Sequence, residues 1–271
     1  MKRYLSFMIP VLLLAVFGFT VQEEGKVLDK NVFGCGEKLE FRVHYGFINA
    51  GEATIEVHPQ MYRVNNKVCY KAEVSGKSVG AFDLALRIRD KWVTYMDTCT
   101  TSPQKFYRDV EEGKYRLKEN VQYDYNTGLA VVDREGKNGA DKSHKEYTIP
   151  KDVHDIVSGF YFLRTINFNK LKVGDTIRTN AFFEDKTYDF QIKFMGRGTV
   201  DTKFGDISAI KLSPIMPDNK LFEGGNSIRM WVSDDKNKIP VKIEADLFVG
   251  AVEMDLKSYQ GLRNTITFKD K

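Results

Sequence analysis

The chain predicts an all-β fold: two antiparallel β-sandwich or half-barrel-like lobes with one central amphipathic helix. Three observations carry that reading. Apolar residues recur at every second position in segment after segment, turn chemistry separates those segments at short intervals, and a single stretch switches to a three-and-four spacing. The length of 271 residues suffices for one large or two small cores.

The N-terminus reads as a signal peptide over residues 1–22. Met1-Lys2-Arg3 supplies the positive start, and Ile9 to Phe19 is an apolar run of signal-peptide length, well short of the roughly 20 residues a spanning helix needs. Gly18 and Thr20 are small residues spaced as a peptidase requires, so cleavage falls between Thr20 and Gln22. A retained anchor over Leu5–Val21 would be interrupted by Ser6 and Pro10. Val32-Phe33-Gly34-Cys35 has the look of a lipidation box, but the charged stretch from Glu23 to Lys30 separates it from the apolar run. The expected address is therefore outside the cytoplasm, in the periplasm or outer envelope, with no transmembrane span in the mature protein.

The first strand places Leu39, Phe41, Val43 and Tyr45 on one face and Glu40, Arg42 and His44 on the other. The same alternation returns in Ala53-Ile55-Val57, Val68-Tyr70-Ala72-Val74, Leu84-Leu86-Ile88 and Val121-Tyr123-Tyr125. Beyond residue 168 it continues in Tyr188-Phe190-Ile192-Phe194, Ile228-Met230-Val232, Val241-Ile243-Ala245-Leu247 and Ile266-Phe268. Asn65-Asn66, Asn126-Thr127-Gly128, Glu184-Asp185-Lys186 and Asp234-Asp235-Lys236-Asn237 are turn sequences between them. Val153, Ile156, Val157, Phe160, Leu163 and Ile166 would line one face of a helix, with Asp152 as its cap and Asp155 in its first turn. This connecting helix (151–167) divides a β-rich lobe over 33–150 from a second over 168–271, with one continuous domain as the alternative. Gly36-Glu37-Lys38-Leu39 and Gly174-Asp175-Thr176-Ile177 hint at a duplication. Asp133 to Glu146 reads as a solvated loop or hairpin tip.

The net charge of +4 is no basic excess, so nucleic acid is not an expected partner. No Gly-x-Ser-x-Gly elbow, His-Glu-x-x-His, phosphate loop or dinucleotide fingerprint is present. The four histidines, His44, His58, His144 and His154, share no metal-ligand spacing and read as exposed, with His154 set apart by the neighbouring Asp152 and Asp155. Glu111-Glu112-Gly113 reads as a turn whose acids face water, with Arg108 near enough for a surface ion pair. No metal, no cofactor and no catalytic residue is expected. Cys69 and Cys99 would close a loop as a disulfide, although a simple meander puts them on non-adjacent strands; Cys35 is left over. Among 19 Phe, 13 Tyr and 2 Trp, the cluster Phe160-Tyr161-Phe162 points round more than half the helix. Phe160, Tyr161 and Leu163 are the candidate lining of a ligand pocket.

Several segments together resemble the exported bacterial proteins that carry the domain of unknown function numbered 3108. These are Gly36–Phe41 running on to Ala50–Ala53, Phe106-Tyr107-Arg108 with Glu111-Glu112-Gly113, Asp155 to Arg164, Trp231–Asp235 with Ile239-Pro240-Val241, and Phe248-Val249-Gly250. The resemblance implies a β-rich envelope protein with no assigned activity and no catalytic residues to carry over. By analogy of fold, a curved sheet closed by a helix is similar to periplasmic lipoprotein-carrier half-barrels, which would make the inner face an acyl-chain site. The expected function is non-catalytic binding of an apolar (lipid or lipoprotein) or glycan-like envelope component. The alternatives are a structural or assembly factor for another envelope protein, and a hydrolase built on scattered carboxylates.

Overall fold

The computed structural model describes residues 31–215, 227–247 and 250–269; the expected leader lies outside them. Strands β1 (Lys38–Tyr45), β2 (Ile48–Val64) and β3 (Lys67–Ser78) lead to a short helix, α1 (Gly80–Ala85). Then come β4 (Ile88–Asp97), β5 (Pro103–Glu112), β6 (Tyr115–Asp124), β7 (Leu129–Gly136), β8 (Ser143–Thr148) and the two-residue β9 (Val153–His154). Helix α2 (Ile156–Arg164) precedes β10 (Thr176–Phe183), β11 (Lys186–Thr202), β12 (Gly205–Ile215), β13 (Ile228–Ser233), β14 (Pro240–Asp246) and β15 (Ala251–Gln260).

All fifteen strands belong to one sheet. Read from one edge it runs β9 to β15 and then β1 to β8, so every ladder but one joins neighbours in sequence. The exception is β1 with β15, an eight-pair antiparallel ladder that joins the two ends of the described chain at the middle of the sheet. The halves expected as lobes, 33–150 and 168–271, are thus wings of one sheet, because Leu39 and Phe41 on β1 pair with Tyr259 and Leu256 on β15 rather than ending a sandwich. One continuous apolar core spans both wings. Strand twist coils the sheet, and bulges in its long strands add to the bend. On β2 the pairing with β3 slips between Val57 and Met61, a gap that contains Pro59, which has no N–H to give. On β11 it slips between Phe194 and Gly196, whose φ of +105° a side chain would oppose.

The coiled sheet wraps α2, all nine of whose residues are buried. The helix starts three residues later than its periodicity suggests. Val153 and His154 pair in parallel with Asn180 and Ala181 of β10, and the cap is Asp155, not Asp152. Asp155 accepts the N–H groups of Val157 and Ser158 at 2.8 Å each, and the Ser158 hydroxyl accepts the Asp155 N–H at 3.0 Å, a reciprocal capping box. At the other end Arg164 reaches Glu37 with both fork nitrogens, at 2.5 and 2.8 Å, and gives its Nε hydrogen to the Asn237 carbonyl at 3.0 Å. A cation suits a helix C-terminus. The Asp234–Asn237 turn exists as expected, held by Asp235 accepting the N–H groups of Asn237 and Lys238.

Two expectations fail locally. The alternation Leu84-Leu86-Ile88 is interrupted by α1, and Leu84 stands 91% exposed. Ile266–Phe268 forms no strand, only an adjoining bridge between Asp206 and Lys269. Of the two forms expected for Asp133 to Glu146, the structure has the hairpin, made by β7 and β8.

Candidate functional site

A barrel of this kind closes when its edge strands pair. Here the edges are β8 and β9, joined by only four residues, yet no backbone ladder among the described residues links them. Side chains close the seam instead. The β10–β11 hairpin turns at Glu184 and Asp185, with φ of +46° and +69°, and lays its tip against the inner face of β4 to β8. Both central residues being left-handed is the type I′ geometry that matches strand twist, but Glu is a poor residue for it.

The inner face it meets is mixed. Phe182 packs on Tyr147 and Tyr123, with ring centroids 5.7 and 6.3 Å apart, and Phe183 stacks on Trp92 at 5.9 Å. Beside these rings runs a chain of charges. Arg108 grips Glu119, its Nε 2.9 Å from Oε1, and lies over the Phe183 ring at 4.8 Å. Glu119 also accepts from Arg134 Nε, while Arg134 Nη1 gives a hydrogen bond to Asp185 on the hairpin tip at 2.7 Å. Glu184 stands 3.8 Å from Arg108. Burial works against the charge on Asp185, but the Arg134 guanidinium prevails and holds its carboxyl below the usual range. On β4 and β5, Asp90 and Glu112 form a buried carboxyl pair, and burial pushes Asp90 up to about 6.

This charged cluster corrects the surface reading of Arg108 and Glu112. Both are only 4% exposed, because on β5 they share the inward parity of Phe106 and Val110. Parity was the signal available in the sequence, overridden there by charge. His154 is likewise buried rather than exposed, its ring stacked on Phe162 at 4.6 Å. The other histidines have partners too: Asp255 3.7 Å from His44, Tyr62 2.8 Å from His58, and Asp133 2.6 Å from His144. Among the described residues no group of three or more His, Cys, Asp or Glu is placed to hold a metal ion.

Phe160, Tyr161 and Leu163 sit at the centre of the core. Tyr161 packs on Phe33 with centroids 4.6 Å apart, and Phe160 and Tyr161 flank the Arg164 guanidinium. Cys69 and Cys99 are free thiols, and so is Cys35. The non-adjacent placement is corrected, since β3 and β4 are neighbours and Cys69 pairs with Asp97, two residues before Cys99. Cys69 is buried, which pushes its thiol up to about 11, whereas Cys99 is exposed. A maleimide should therefore modify Cys99 at least ~100-fold faster than Cys69 in the folded protein, a difference that mass spectrometry reads and urea abolishes.

The outer face carries a groove of about 500 Å³ over β15, β1, β2, β3, β4 and β5, but its charges pair with one another, as in Lys257 and Lys77 on Glu52 at 2.8 and 3.0 Å. No helix among the described residues is long and apolar enough to cross a membrane.

Among solved structures, the chain is similar to a β-barrel-like protein of the domain of unknown function DUF1849 from Brucella abortus, with a TM-score of 0.55, 10% identity, and coverage of 84% of this chain and 98% of that one. The likeness shows a shared β-barrel-like fold. A hypothetical protein, CT021, from Chlamydia trachomatis aligns over 88% of this chain and 92% of its own, at 6% identity and a TM-score of 0.39. No curated protein matches. Residues 40–257, which take in nearly all of the sheet, the seam and the buried helix, match the model of the family described as protein of unknown function DUF3108, and the chain belongs to that family.

Proposed function

We propose that this is an exported, non-catalytic binding protein of the cell envelope. It takes an amphiphilic component, an apolar chain or a glycan-like group, at the seam between β8 and β9. The observation that carries the reading is a barrel edge where no ladder joins β8 to β9 among the described residues and side chains meet instead, aromatic rings beside a partly buried ionic chain. Rings supply stacking or apolar contact, and guanidinium and carboxylate groups supply hydrogen bonds to a polar part. Buried ion pairs give little net stability compared with apolar side chains of the same size, so their presence here supports a role in binding. Entry requires the hairpin tip to swing away, which breaks side-chain contacts and no sheet ladder. The leader features of Met1 to Phe19 support export.

Native mass spectrometry of protein purified from its own envelope should find bound mass. With Trp231→Phe leaving Trp92 as reporter, N-phenyl-1-naphthylamine should shift its emission, and Phe182→Ala should weaken that binding about tenfold. Clean apo protein and a silent Trp92 would end the proposal. The Asp90–Glu112 pair favours one second reading, the hydrolase, because a buried carboxyl raised to about 6 beside a second carboxyl has the makings of a general acid. Asp90→Asn distinguishes the two, abolishing turnover in a hydrolase and leaving probe binding within a few-fold in a binding protein.

A further inference from the structure

One end of the barrel carries the β1–β2 turn, the α1 segment and the β5–β6 turn side by side. Gly113 N–H bonds the Arg87 carbonyl at 2.8 Å, Val79 N–H bonds the Ala50 carbonyl at 3.0 Å, and the rings of Tyr45 and Phe82 lie 5.8 Å apart. From this rim Phe47 stands 97% exposed and Leu84 91%, with Tyr115 at 49%. None of the six residues of α1 is buried.

The acids on these turns are paired or buried, Glu112 being 4% exposed. Asp83 is paired with Arg89 at 2.7 Å and Glu111 with Arg116 at 3.6 Å. Arg87 and Lys114, both exposed, have no ion-pair partner among the described residues. The rim therefore presents two nearly free apolar tips, a half-exposed tyrosine and two exposed cations outside any ion pair.

We infer that this rim docks the barrel on an anionic lipid surface, with Phe47 and Leu84 inserted among the acyl chains and Arg87 and Lys114 at the headgroups. Apolar tips beside cations are the chemistry of peripheral membrane attachment, and a tyrosine suits the headgroup level. The shape favours lipid over protein. Side chains exposed to more than nine-tenths project from separate turns, and a protein partner would need a deep pocket for each, whereas a fluid bilayer yields to both. The inference uses none of the seam residues, so it stands or falls apart from the binding function proposed above.

The test uses the full chain with Cys35→Ser and Cys99→Ser, in which buried Cys69 resists labelling. A nitrobenzoxadiazole dye is attached at Leu84→Cys or, as a control, at Met61→Cys, which is exposed towards the far end of β2. Vesicles of phosphatidylethanolamine with phosphatidylglycerol should shift the dye at 84 to the blue and brighten it at least twofold. Phosphatidylcholine vesicles should not, and the dye at 61 should stay unchanged. Phe47→Ser should weaken this response about tenfold, and Arg87→Glu with Lys114→Glu should remove its sensitivity to salt, both with an unchanged thermal midpoint. Equal responses at 61 and 84, no response to anionic vesicles, or a shift that rises with protein concentration in the absence of lipid would overturn the inference, the last in favour of a second copy of the chain.

Discussion

Arg164→Ala is expected to cost about 3–5 kcal/mol of folding free energy, the loss that follows when one partner of a buried ion pair is removed. Glu37 is 1% exposed and Arg164 likewise, so the carboxylate left behind has no route to water. More is lost than the pair. Arg164 also gives hydrogen bonds to the Asn237 and Val32 carbonyls, at 3.0 and 3.3 Å, and its guanidinium lies 5.4 to 5.6 Å from the rings of Phe33, Phe160 and Tyr161. It therefore ties the helix end to the segment before β1 and to the β13–β14 turn, three parts of the chain far apart in sequence. At roughly 2–4 °C per kcal/mol for a domain of this size, the thermal midpoint should fall by about 6–20 °C. Glu37→Met together with Arg164→Met should recover most of the loss, because both desolvation costs vanish with the charges. Urea unfolding followed by circular dichroism decides the matter, and a loss below about 1 kcal/mol in Arg164→Ala would mean that water reaches Glu37.

Strand positions were largely legible because a half-buried strand must alternate. Leu39, Phe41 and Val43 point inward as their spacing requires. The joining of the wings was not legible, since nothing in the pattern of β1 or β15 says which other strand each pairs with, and both read as ordinary half-buried strands. The helix was legible from Ile156 to Leu163, but its start was not: Asp152 and Asp155 are both suitable caps, and pairing of Val153 with β10 selects the second. The burial of Arg108 and Glu112 was not legible because their charge assigns them to water, and Glu119 carries no motif to mark it, whereas each has the inward parity of its strand. The seam partners Glu184 and Asp185 were recognised as a turn, but a turn sequence does not reveal what the hairpin tip rests on.

Stability should rise as the pH is lowered from 8 and reach its maximum near pH 5. Burial pushes Asp155 up to about 6, outweighing the Thr94 hydroxyl at 2.5 Å and the two backbone N–H groups it accepts, and burial pushes Asp90 up to about 6 as well. For a carboxyl raised in the folded state, the stability it contributes is fully present below its unfolded pKa of about 4 and is lost as pH rises through the folded value. Each group should thus withdraw up to about 3 kcal/mol between pH 4 and pH 8. Below pH 4.5 the trend reverses, because Glu40, Glu52 and Asp246 are held below their usual range by Lys38, Lys257 and Arg229 and lose those contacts on protonation. Asp155→Asn keeps an oxygen for the Val157 and Ser158 N–H groups and does not titrate, so its midpoint should vary less from pH 5 to 8 and exceed that of the wild type at pH 8. Asp155→Ala strips the cap from a buried helix end and should lose about 2–4 kcal/mol at pH 5. Thermal melts across this range separate the two effects, and a wild-type midpoint that is flat or rising from pH 5 to 8 would show that both carboxyls are ionised in the folded core.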